Sequence, residues 1–224
     1  MRRVIASELM DAPDADPVLL AGNLADIEFA NRRFGGYRPV IRSVFEHDAA
    51  WLLDVCCGSA DVPRELLREA RARGRRLEIV ALDASDAVLA VARQRAGDEP
   101  LLRFVRGDAR MLPFPDAAFD IATCTLGLHH FDDDAAVEVL RELRRVARLT
   151  PIVCDFERSP LAYVGASLFA TFIAKNRFTK HDGPLSVRRA YCARELVALA
   201  GAAGWGRPHV RRSAYFRLLL NDLG

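Results

Sequence analysis

The chain has 224 residues, of which 51% are hydrophobic and 28% are charged, a composition that indicates one ordinary globular domain with a modest addition. Its 32 basic and 30 acidic residues nearly balance, so we expect no nucleic-acid partner. The chain starts without the apolar segment of a secretory signal, its longest apolar stretch is too short to span a membrane, and its five cysteines lack metal-ligand spacing. These features predict a cytoplasmic protein without stable membrane insertion or a metal centre.

A pair of helices is predicted at the start of the chain. Residues 16–17, Asp-Pro, supply an N-cap acceptor and a proline at the first helical position, and the helix that follows reaches two glycines at residues 35–36. A second, shorter helix is expected over residues 40–47. We therefore divide the chain into an N-terminal helical cap segment, residues 1–48, and a main domain, residues 49–224.

From the first strand onward, apolar strand patterns alternate with amphipathic helix patterns. Such alternation predicts right-handed crossovers and a parallel sheet with helices on both faces, which is a doubly wound α/β fold. After a last helix at residues 193–203, a tight connection at residues 213–214 predicts an antiparallel hairpin. The predicted parallel strands are residues 51–56, 77–82, 102–105, 119–124 and 152–156, and the hairpin strands are residues 209–212 and 215–220.

Residues 157–192 interrupt this alternation. An apolar, helix-like stretch at residues 161–174 is followed by a polar, basic run at residues 176–191, which Gly183 and Pro184 break. Ligands of open α/β sheets bind outside the carboxyl ends of the strands, and an insertion after the fifth strand lies above that edge. We therefore predict that this insertion forms a lid over the substrate.

The turn after the first strand indicates the class of ligand. Residues 51–61 read as a buried strand, a small-residue turn at Gly58 and Ser59, and a helix start, an arrangement that directs backbone N–H groups at a ligand. A dinucleotide site needs three glycines here and a helix end free to hold phosphate. Of those glycines only Gly58 is present, and Asp61 repels phosphate while favouring a cation. The turn therefore predicts a cationic ligand without phosphate.

Four sequence motifs resemble those of class I S-adenosylmethionine-dependent methyltransferases. Leu-Asp-Val-Cys-Cys-Gly-Ser-Ala-Asp at residues 53–61 resembles the first motif, L-D-x-G-C-G-T-G, with Cys56 and Ala60 in place of two glycines. The chain is identified as a member of this family, in its small-molecule branch of quinone and polyketide type. The other three motifs resemble G-D-A-x-x-L-P-F, D-x-x-F-D and L-x-E-x-x-R-V, and stand at residues 107–114, 116–120 and 140–146.

This resemblance implies a Rossmann-like, mostly parallel sheet that ends in an antiparallel hairpin, with S-adenosyl-L-methionine as the cofactor. It also implies that the N-terminal segment closes over cofactor and substrate, which makes Glu28, Asn31 and Tyr37 candidate pocket residues. Solvated polar groups on a helix are the favoured alternative for these three. The sequence departs from the family pattern at residues 148–151, Arg-Leu-Thr-Pro, where a proline and glycines usually stand, and we expect a connecting turn there.

The cofactor site is predicted from the same motifs. In the family, the Asp of the G-D-A motif accepts the adenine amino group, and this position is Asp108 here. Asp83, at the end of the second strand, is placed to accept the ribose hydroxyls. Capping of the helix at Ser85 is an alternative of nearly equal weight for Asp83. The predicted cofactor-binding residues are Asp54, Cys56, Gly58, Ser59, Asp61, Asp83, Ala84, Asp108, Ala109 and Thr125.

Histidines are the candidate catalytic residues. Transfer of a methyl group to a hydroxyl benefits from a general base, since a phenol is mostly protonated at neutral pH. His129 and His130 follow the fourth strand, where substrate meets the methyl group in the family, and His181 beside Asp182 in the lid is a second choice. Local hydrogen bonding or helix capping is the alternative for all three.

The acceptor is predicted to be a small aromatic or polyketide-derived molecule that is methylated on oxygen, as in secondary metabolism. Residues 176–184 resemble bacterial members associated with polyketide-type aromatic products. Three alternatives stay open: methylation of a quinone precursor on carbon, a cofactor-binding partner subunit without catalysis, and an NAD-dependent reductase. Homodimer formation also stays open. The lid has apolar side chains that suit a ring, namely Leu161, Phe169, Phe172 and Phe178.

Overall fold

The computed structural model of the protein describes residues 1–12 and 14–223, which form a seven-stranded sheet flanked by helices. The strands are β1 Trp51–Val55, β2 Glu78–Asp83, β3 Leu102–Arg106, β4 Phe119–Thr125, β5 Ala147–Phe156, β6 Pro208–Ser213 and β7 Arg217–Asp222. The helices are α1 Pro17–Arg33, α2 Arg38–Phe45, α3 Asp61–Ala72, α4 Asp86–Ala96, α5 Asp133–Val146, α6 Pro160–Phe172, α7 Arg177–Arg189 and α8 Ala193–Ala202, with short 3-10 turns at Leu9–Asp11 and Leu128–His130.

The strand order is β3-β2-β1-β4-β5-β7-β6. Strands β1 to β5 pair in parallel, whereas β7 runs antiparallel to both β5 and β6. The predicted Rossmann-like sheet with a C-terminal antiparallel hairpin is confirmed. The order of the strands reverses between β1 and β4, and this switch point is where open α/β sheets bind their ligands.

The apolar run of β1 places that strand at the centre of the protein. Successive side chains of a strand point to opposite faces of a sheet, and here both faces are covered. Leu52 packs in the same cluster as Leu66 of α3, while Leu53 packs with Leu140 of α5 and Leu196 of α8. All five side chains have no exposed surface. Each such burial contributes about 1.5–3 kcal/mol, so the alternation seen in the sequence is what holds the layers together.

The fifth strand starts earlier than the sequence predicts, and the expected turn at residues 148–151 is wrong. These residues belong to β5, and their side chains bond to both neighbouring strands. Arg148 Nη2 lies 2.5 Å from Oδ1 of Asp120 in β4, and the Thr150 hydroxyl donates to the carbonyl of Asp222 in β7 at 3.1 Å. Contacts on both sides hold the segment extended.

The polar run of the insertion forms helix α7, although Gly183 and Pro184 were expected to break it. Asn176 caps this helix, because its Oδ1 accepts the N–H of Phe178 at 2.8 Å. Pro184 lacks the N–H that would bond one turn back, which weakens the helix on its own. Burial of Phe178, which is 5% exposed, supplies tertiary packing that outweighs the low helix propensity.

The last strand begins at Arg217, two residues later than predicted. Tyr215 and Phe216 both adopt φ of 56°, in the left-handed region. This conformation is uncommon for aromatic residues and ends the extended backbone, so the sequence pattern alone extends the strand too far.

The N-terminal helices and the insertion contact each other above the sheet. The Thr179 hydroxyl of α7 donates to Oδ1 of Asn23 in α1 at 2.8 Å, and Nδ2 of Asn176 donates to the carbonyl of Leu19 at 2.8 Å. No helix within residues 1–12 and 14–223 is long and apolar enough to cross a membrane. The division of the chain at residue 48 and the lid role of residues 157–192 stay predictions.

Candidate active site

A large cavity, called here the central cavity, lies at the carboxyl ends of the central parallel strands. Its volume is about 1260 Å³. Sites for one drug-sized ligand measure about 300–1,000 Å³, so this cavity has room for a nucleoside cofactor beside a small acceptor. Residues that follow β1, β2 and β4 line it together with residues of α1, α6 and α7.

The turn after β1 has three residues in the left-handed region. Cys56, Gly58 and Ala60 have φ of 58°, 53° and 55°. A left-handed conformation costs a non-glycine residue about 1–2 kcal/mol. At the two positions where the family motif has glycine, the backbone thus keeps the conformation that glycine favours. Gly127 makes room for this turn, since a Cβ there would lie 2.6 Å from the Cβ of Cys56.

Asp83 holds the same turn from the end of β2. Its Oδ2 accepts the N–H of Gly58 at 3.2 Å, and its Oδ1 accepts the N–H of Ser85 at 3.1 Å. The residue that caps α4 is Ser85, whose hydroxyl accepts the N–H of Val88 at 3.3 Å, so the capping alternative for Asp83 is wrong. Burial raises the pKa of Asp83. Each carboxylate oxygen has a second lone pair, which leaves Asp83 able to accept ribose hydroxyls from the cavity.

Asp54 is a buried carboxyl group of β1 on the wall of the cavity. Its Oδ1 accepts the Thr123 hydroxyl at 2.6 Å. Burial raises the pKa of Asp54 to about 7, against the lowering effect of that hydrogen bond, and the charges of Asp61 and Asp83 add to the rise. A cation in the cavity would favour the ionised form.

Asp61 lies in the first turn of α3 and is 8% exposed. Its Oδ2 accepts hydrogen bonds from Nδ2 of Asn31 at 2.9 Å and from the Tyr37 hydroxyl at 3.0 Å. Burial and the charge of Asp61 raise the pKa of Tyr37, which therefore remains a donor. Asn31 and Tyr37 are thus buried partners of Asp61, and the solvated alternative is wrong for them. Glu28 instead pairs with Arg64 at 2.8 Å and is not among the residues that line the cavity.

The other predicted cofactor residues also line the cavity. Asp108 is held by its neighbour Arg110, whose Nη2 lies 2.7 Å from Oδ2, and this hydrogen bond keeps the pKa of Asp108 below its usual value. The Thr125 hydroxyl is buried and has no hydrogen-bond partner in the described part of the chain. Buried polar groups are normally bonded, so this hydroxyl is available to a ligand. Small residues complete this part of the wall: Ser59, Ala84 and Ala109.

His129 and His130 bring charged groups together on the cavity wall. Nδ1 of His129 lies 2.8 Å from Oδ1 of Asp155, and Nδ1 of His130 lies 2.9 Å from Oδ2 of Asp11. The Nε2 atoms of both rings face Glu8, at 3.6 and 3.9 Å from its carboxylate oxygens. Burial alone would lower the pKa of His130, but Asp11 and Glu8 raise it above its ordinary value.

Sequence reasoning missed four members of this cluster. Asp155 is the second-last residue of β5 and lies at the same edge of the sheet as Asp83, so its position near a strand end is a signal that pattern analysis can use. Arg189 donates from Nη2 to the carbonyl of His130 at 2.8 Å, and it belongs to the polar, basic run of the predicted lid. Glu8 and Asp11 stand in an N-terminal segment without periodicity, and only the folded chain brings them to the histidines.

His181 lies apart from this cluster. Its side chain is 51% exposed, its Nδ1 is 2.7 Å from Oδ1 of the adjacent Asp182, and it is not among the residues that line the cavity. Asp182 is buried and accepts the N–H groups of Leu9 and Met10 at 2.9 and 3.1 Å. Asp182 thereby anchors the N-terminal segment that carries Glu8.

The apolar residues of the predicted lid take three different positions. Phe169 lines the cavity and packs edge-on against Phe34, with ring centroids 6.0 Å apart. Leu161 and Phe172 are 70% and 77% exposed, and Phe178 is buried without lining the cavity. Of the four, Phe169 is the one placed to contact a ring-shaped acceptor.

Known proteins resemble this chain over the part that contains the predicted cofactor residues. A family described as a methyltransferase domain matches residues 52–149. A demethylmenaquinone methyltransferase of Deinococcus radiodurans is 39% identical over 118 residues, which cover 52% of this chain and 46% of that protein. A 2-phytyl-1,4-naphtoquinone methyltransferase of Synechococcus elongatus is 33% identical over 170 residues, which cover 70% of this chain and 71% of that protein. The chain belongs to the class I S-adenosylmethionine-dependent methyltransferase family.

The share of a relative's length that this chain covers differs from one relative to another. The chain spans less than half the length of the Deinococcus relative but about 71% of the Synechococcus one. A SAM-dependent methyltransferase structure from Aquifex aeolicus shares the fold with a TM-score of 0.59 at 15% identity, covering 81% of this chain and 87% of that chain.

The residues of the cavity fit S-adenosyl-L-methionine, the cofactor of the family. This molecule carries a sulfonium, an ammonium and ribose hydroxyls, and it has no phosphate. Asp54 and Asp61 supply negative charge, Asp83 supplies acceptors for the ribose, and Thr125 supplies a buried hydroxyl without a partner among the described residues. Asp108 keeps acceptor capacity beside its pair with Arg110, and it stays the predicted acceptor of the adenine amino group. The individual contacts stay predictions.

Proposed function

We propose that this protein transfers a methyl group from S-adenosyl-L-methionine to a ring carbon of a small, quinone-type aromatic acceptor. Two relatives are named for demethylmenaquinone and 2-phytyl-1,4-naphtoquinone. These names support a ring carbon as the methylated atom, whereas the sequence alone favours oxygen. The observation that carries the proposal is that one cavity is lined both by the predicted acidic cofactor residues and by His129, whose Nδ1 is held by the buried Asp155.

The chain has two tasks in this reaction, because the sulfonium of the cofactor already supplies an activated methyl group. It has to align the acceptor with that methyl group and to remove a proton from the acceptor's hydroxyl. Phe34 and Phe169 offer aromatic surface for the ring. Asp155 holds Nδ1 of His129, which leaves Nε2 to take the proton. The charge left on the acceptor spreads from oxygen to the adjacent ring carbon, which would take the methyl group as its bond to sulfur breaks and S-adenosylhomocysteine forms. The hydrogen on that ring carbon would then leave as a proton to water, which restores the aromatic ring.

Methylation on oxygen is a second candidate that the same pair supports. Removal of a proton from a ring hydroxyl creates a nucleophilic oxygen as well as a nucleophilic carbon, so the site chemistry allows both products. The two differ in the product, since a methyl ether is cleaved by strong acid and a carbon–methyl bond is not.

Incubation with methyl-labelled cofactor and a panel of reduced naphthoquinones and phenols tests the proposal. We expect transfer to a reduced naphthoquinone, with label that survives ether cleavage. Label lost on cleavage assigns oxygen as the acceptor atom. Cofactor binding by calorimetry with no transfer to any acceptor contradicts the proposal and indicates a cofactor-binding subunit instead.

Cofactor affinity provides an independent check on the cofactor half of the cavity. Asp83→Ala removes acceptors for the ribose, and we expect affinity for S-adenosylhomocysteine to fall at least about tenfold, because hydrogen bonds to charged groups contribute about 1.5–3 kcal/mol. Asp61→Arg replaces an attractive charge with a repulsive one and should have a larger effect. Asp98→Ala, at an exposed site between α4 and β3, is the control and should bind as the wild type does. Undiminished affinity in both cavity variants would overturn the assignment.

A further inference from the structure

Three side chains of metal-ligand type converge on the wall of the central cavity. One carboxylate oxygen of Glu8 and one ring nitrogen each of His129 and His130 all lie within 4.8 Å of one another. Nε2 of His129 is 3.6 Å from Oε1 of Glu8, and Nε2 of His130 is 3.9 Å from Oε2. In a tetrahedral zinc site with bonds of about 2.0–2.1 Å, two ligand atoms are about 3.3 Å apart. Small side-chain rotations therefore bring these atoms to bonding positions.

The neighbours of these three side chains already hold them in the orientation that a metal ion needs. A ligating histidine typically donates its other ring nitrogen to a carboxylate, which sets its tautomer and basicity. Both histidines have that partner, since Nδ1 of His129 is 2.8 Å from Asp155 and Nδ1 of His130 is 2.9 Å from Asp11. The Ser186 hydroxyl donates to Oε1 of Glu8 at 2.8 Å and fixes the carboxylate as well.

The charge of the cluster also calls for a cation. The carboxylates of Glu8 and Asp11 share one guanidinium, that of Arg189, which lies 3.7 Å from Glu8 and 3.5 Å from Asp11. Asp155 pairs with His129, and its charge also acts on Arg217. Glu8 and Asp155 are 3% and 2% exposed, and buried charges are normally paired or bound to a metal. With neutral imidazoles the carboxylates of Glu8 and Asp11 exceed the one guanidinium of Arg189, and a bound cation offsets these negative charges. Protonation of both histidines is the competing way to balance them.

We propose that Glu8, His129 and His130 form a binding site for a divalent transition metal, with Zn²⁺ as the ion that suits two imidazoles and one carboxylate. All three residues line the central cavity, so the fourth coordination position opens towards the acceptor. The sequence alone predicts no metal site, because Glu8 stands far from the histidines along the chain.

The role of such an ion follows from its position, and this role rests on the proposed function. In the metal-free protein Nε2 of His129 is the proton acceptor. With the ion bound, the imidazoles become ligands, and an acceptor hydroxyl at the open position loses its proton more readily, because the ion stabilises the oxygen anion. The released proton passes to water.

Metal binding is tested on the 224-residue chain, which is freed of metal with EDTA and dialysed, then incubated with Zn²⁺ or Co²⁺ and separated from unbound metal. We expect one Zn²⁺ per chain by elemental analysis, and one Co²⁺ per chain with the visible absorption of a tetrahedral site. Removal of a residue that hydrogen-bonds to a metal ligand weakens metal affinity about 10–100-fold. Removal of a ligand itself should weaken it more. We therefore expect Glu8→Gln and His130→Ala, which each remove a ligand, to bind Zn²⁺ at least about 100-fold more weakly. His209→Ala, at an exposed position of β6, is the control and should keep wild-type affinity.

Circular dichroism on each variant establishes that it is folded. The site is overturned if the folded wild type binds no stoichiometric metal, or if Glu8→Gln and His130→Ala bind Zn²⁺ as tightly as His209→Ala. Either result indicates that protonated histidines, and not a metal ion, balance the charge of the carboxylates in this cluster.

The site and the proposed function fail separately. Stoichiometric zinc with no methyl transfer under any condition retains the site and contradicts the function. Full methyl transfer by EDTA-treated protein that gains nothing from Zn²⁺ retains the function and contradicts the role of the ion.

Discussion

Both carboxylate oxygens of Asp155 bond to His129. Oδ1 lies 2.8 Å from the ring Nδ1, and Oδ2 accepts the backbone N–H at 3.0 Å. Burial alone would raise the pKa of Asp155, but the charge and hydrogen bonds of His129 hold it below its usual value. Asp155 thus stays ionised and fixes the ring with Nε2 towards Glu8, which is the orientation that proton removal and metal binding both require.

Replacement of Asp155 tests this dependence. Asp155→Asn keeps the shape of the side chain but no longer fixes the tautomer, and we expect methyl transfer to fall by about 10²–10⁴-fold. The measurement is the rate under saturating cofactor and acceptor, with a pH profile. In the double-mutant cycle, adding Asp155→Asn to a His129→Ala variant should lower the methyl-transfer rate little further, because Asp155 acts through the ring of His129. Full additivity of the two substitutions would contradict the coupling.

Cofactor affinity should depend on pH through Asp54. The folded protein holds this carboxyl at a pKa of about 7, and a cationic ligand prefers its ionised form. Below that pKa binding has to release a proton, so affinity should fall by up to about tenfold per pH unit and level off above about pH 7. Calorimetry across this range, in two buffers of different ionisation enthalpy, measures the released proton.

The same group affects the free energy of unfolding. Because its folded pKa lies above the unfolded value of about 3.9, its stabilising contribution is complete below that unfolded pKa and is lost as the pH rises through 7. Asp54→Asn should remove both pH dependences, whereas Asp98→Asn at an exposed position should leave them intact. Wild-type affinity that is constant between about pH 6 and pH 8 would count against this assignment.

The hydroxyl of Tyr37 should stabilise the folded protein. Tyr37→Phe leaves the buried carboxylate of Asp61 without one of its two donors, and we expect a loss of about 1–3 kcal/mol in the free energy of unfolding. Denaturant titration measures it. Tyr163→Phe, at a partly exposed position of α6, is the matched control and should change stability by less than about 0.5 kcal/mol. Equal effects of the two substitutions would show that the Asp61 contact contributes nothing.

Gly127 should tolerate no side chain while Cys56 is present. The added Cβ of Gly127→Ala would lie 2.6 Å from the Cβ of Cys56 and 3.0 Å from Sγ of Cys124, and we expect a loss of about 1–3 kcal/mol. Cys56→Gly in the same chain should recover part of it by removing the closer contact. Gly201→Ala, in open space on α8, should instead stabilise by about 0.4–1 kcal/mol. Thermal unfolding of the three variants measures these differences, and a neutral Gly127→Ala would refute the close packing.

The sequence is sufficient for the sheet because the strands carry their own signal. Residues of β1 such as Leu52 and Leu53 are apolar on both faces, which is typical of a buried parallel strand. The sequence pattern is insufficient where contacts with residues distant along the chain determine the conformation. Residues 148–151 are extended because of bonds to Asp120 and Asp222. Helix α7 persists through Pro184 because one of its faces, which is mostly polar but includes Phe178, is buried against the rest of the protein.

The candidate site likewise contains residues that the local sequence predicts and residues that only distant contacts bring into place. The acidic turn and Asp83 are readable because they stand at fixed positions after strands. The partners of the histidines are not, since Glu8 and Asp11 come from a segment without periodicity that Asp182 anchors through backbone N–H groups. A sequence pattern reports which elements form, and it contains no information on which loop closes over them.

The hydrogen bonds from Thr179 to Asn23 and from Asn176 to Leu19 join two segments that are far apart along the chain, namely helix α1 and the start of helix α7. Both segments contribute residues to the wall of the central cavity, so a movement that separates them from each other would have to break these two hydrogen bonds.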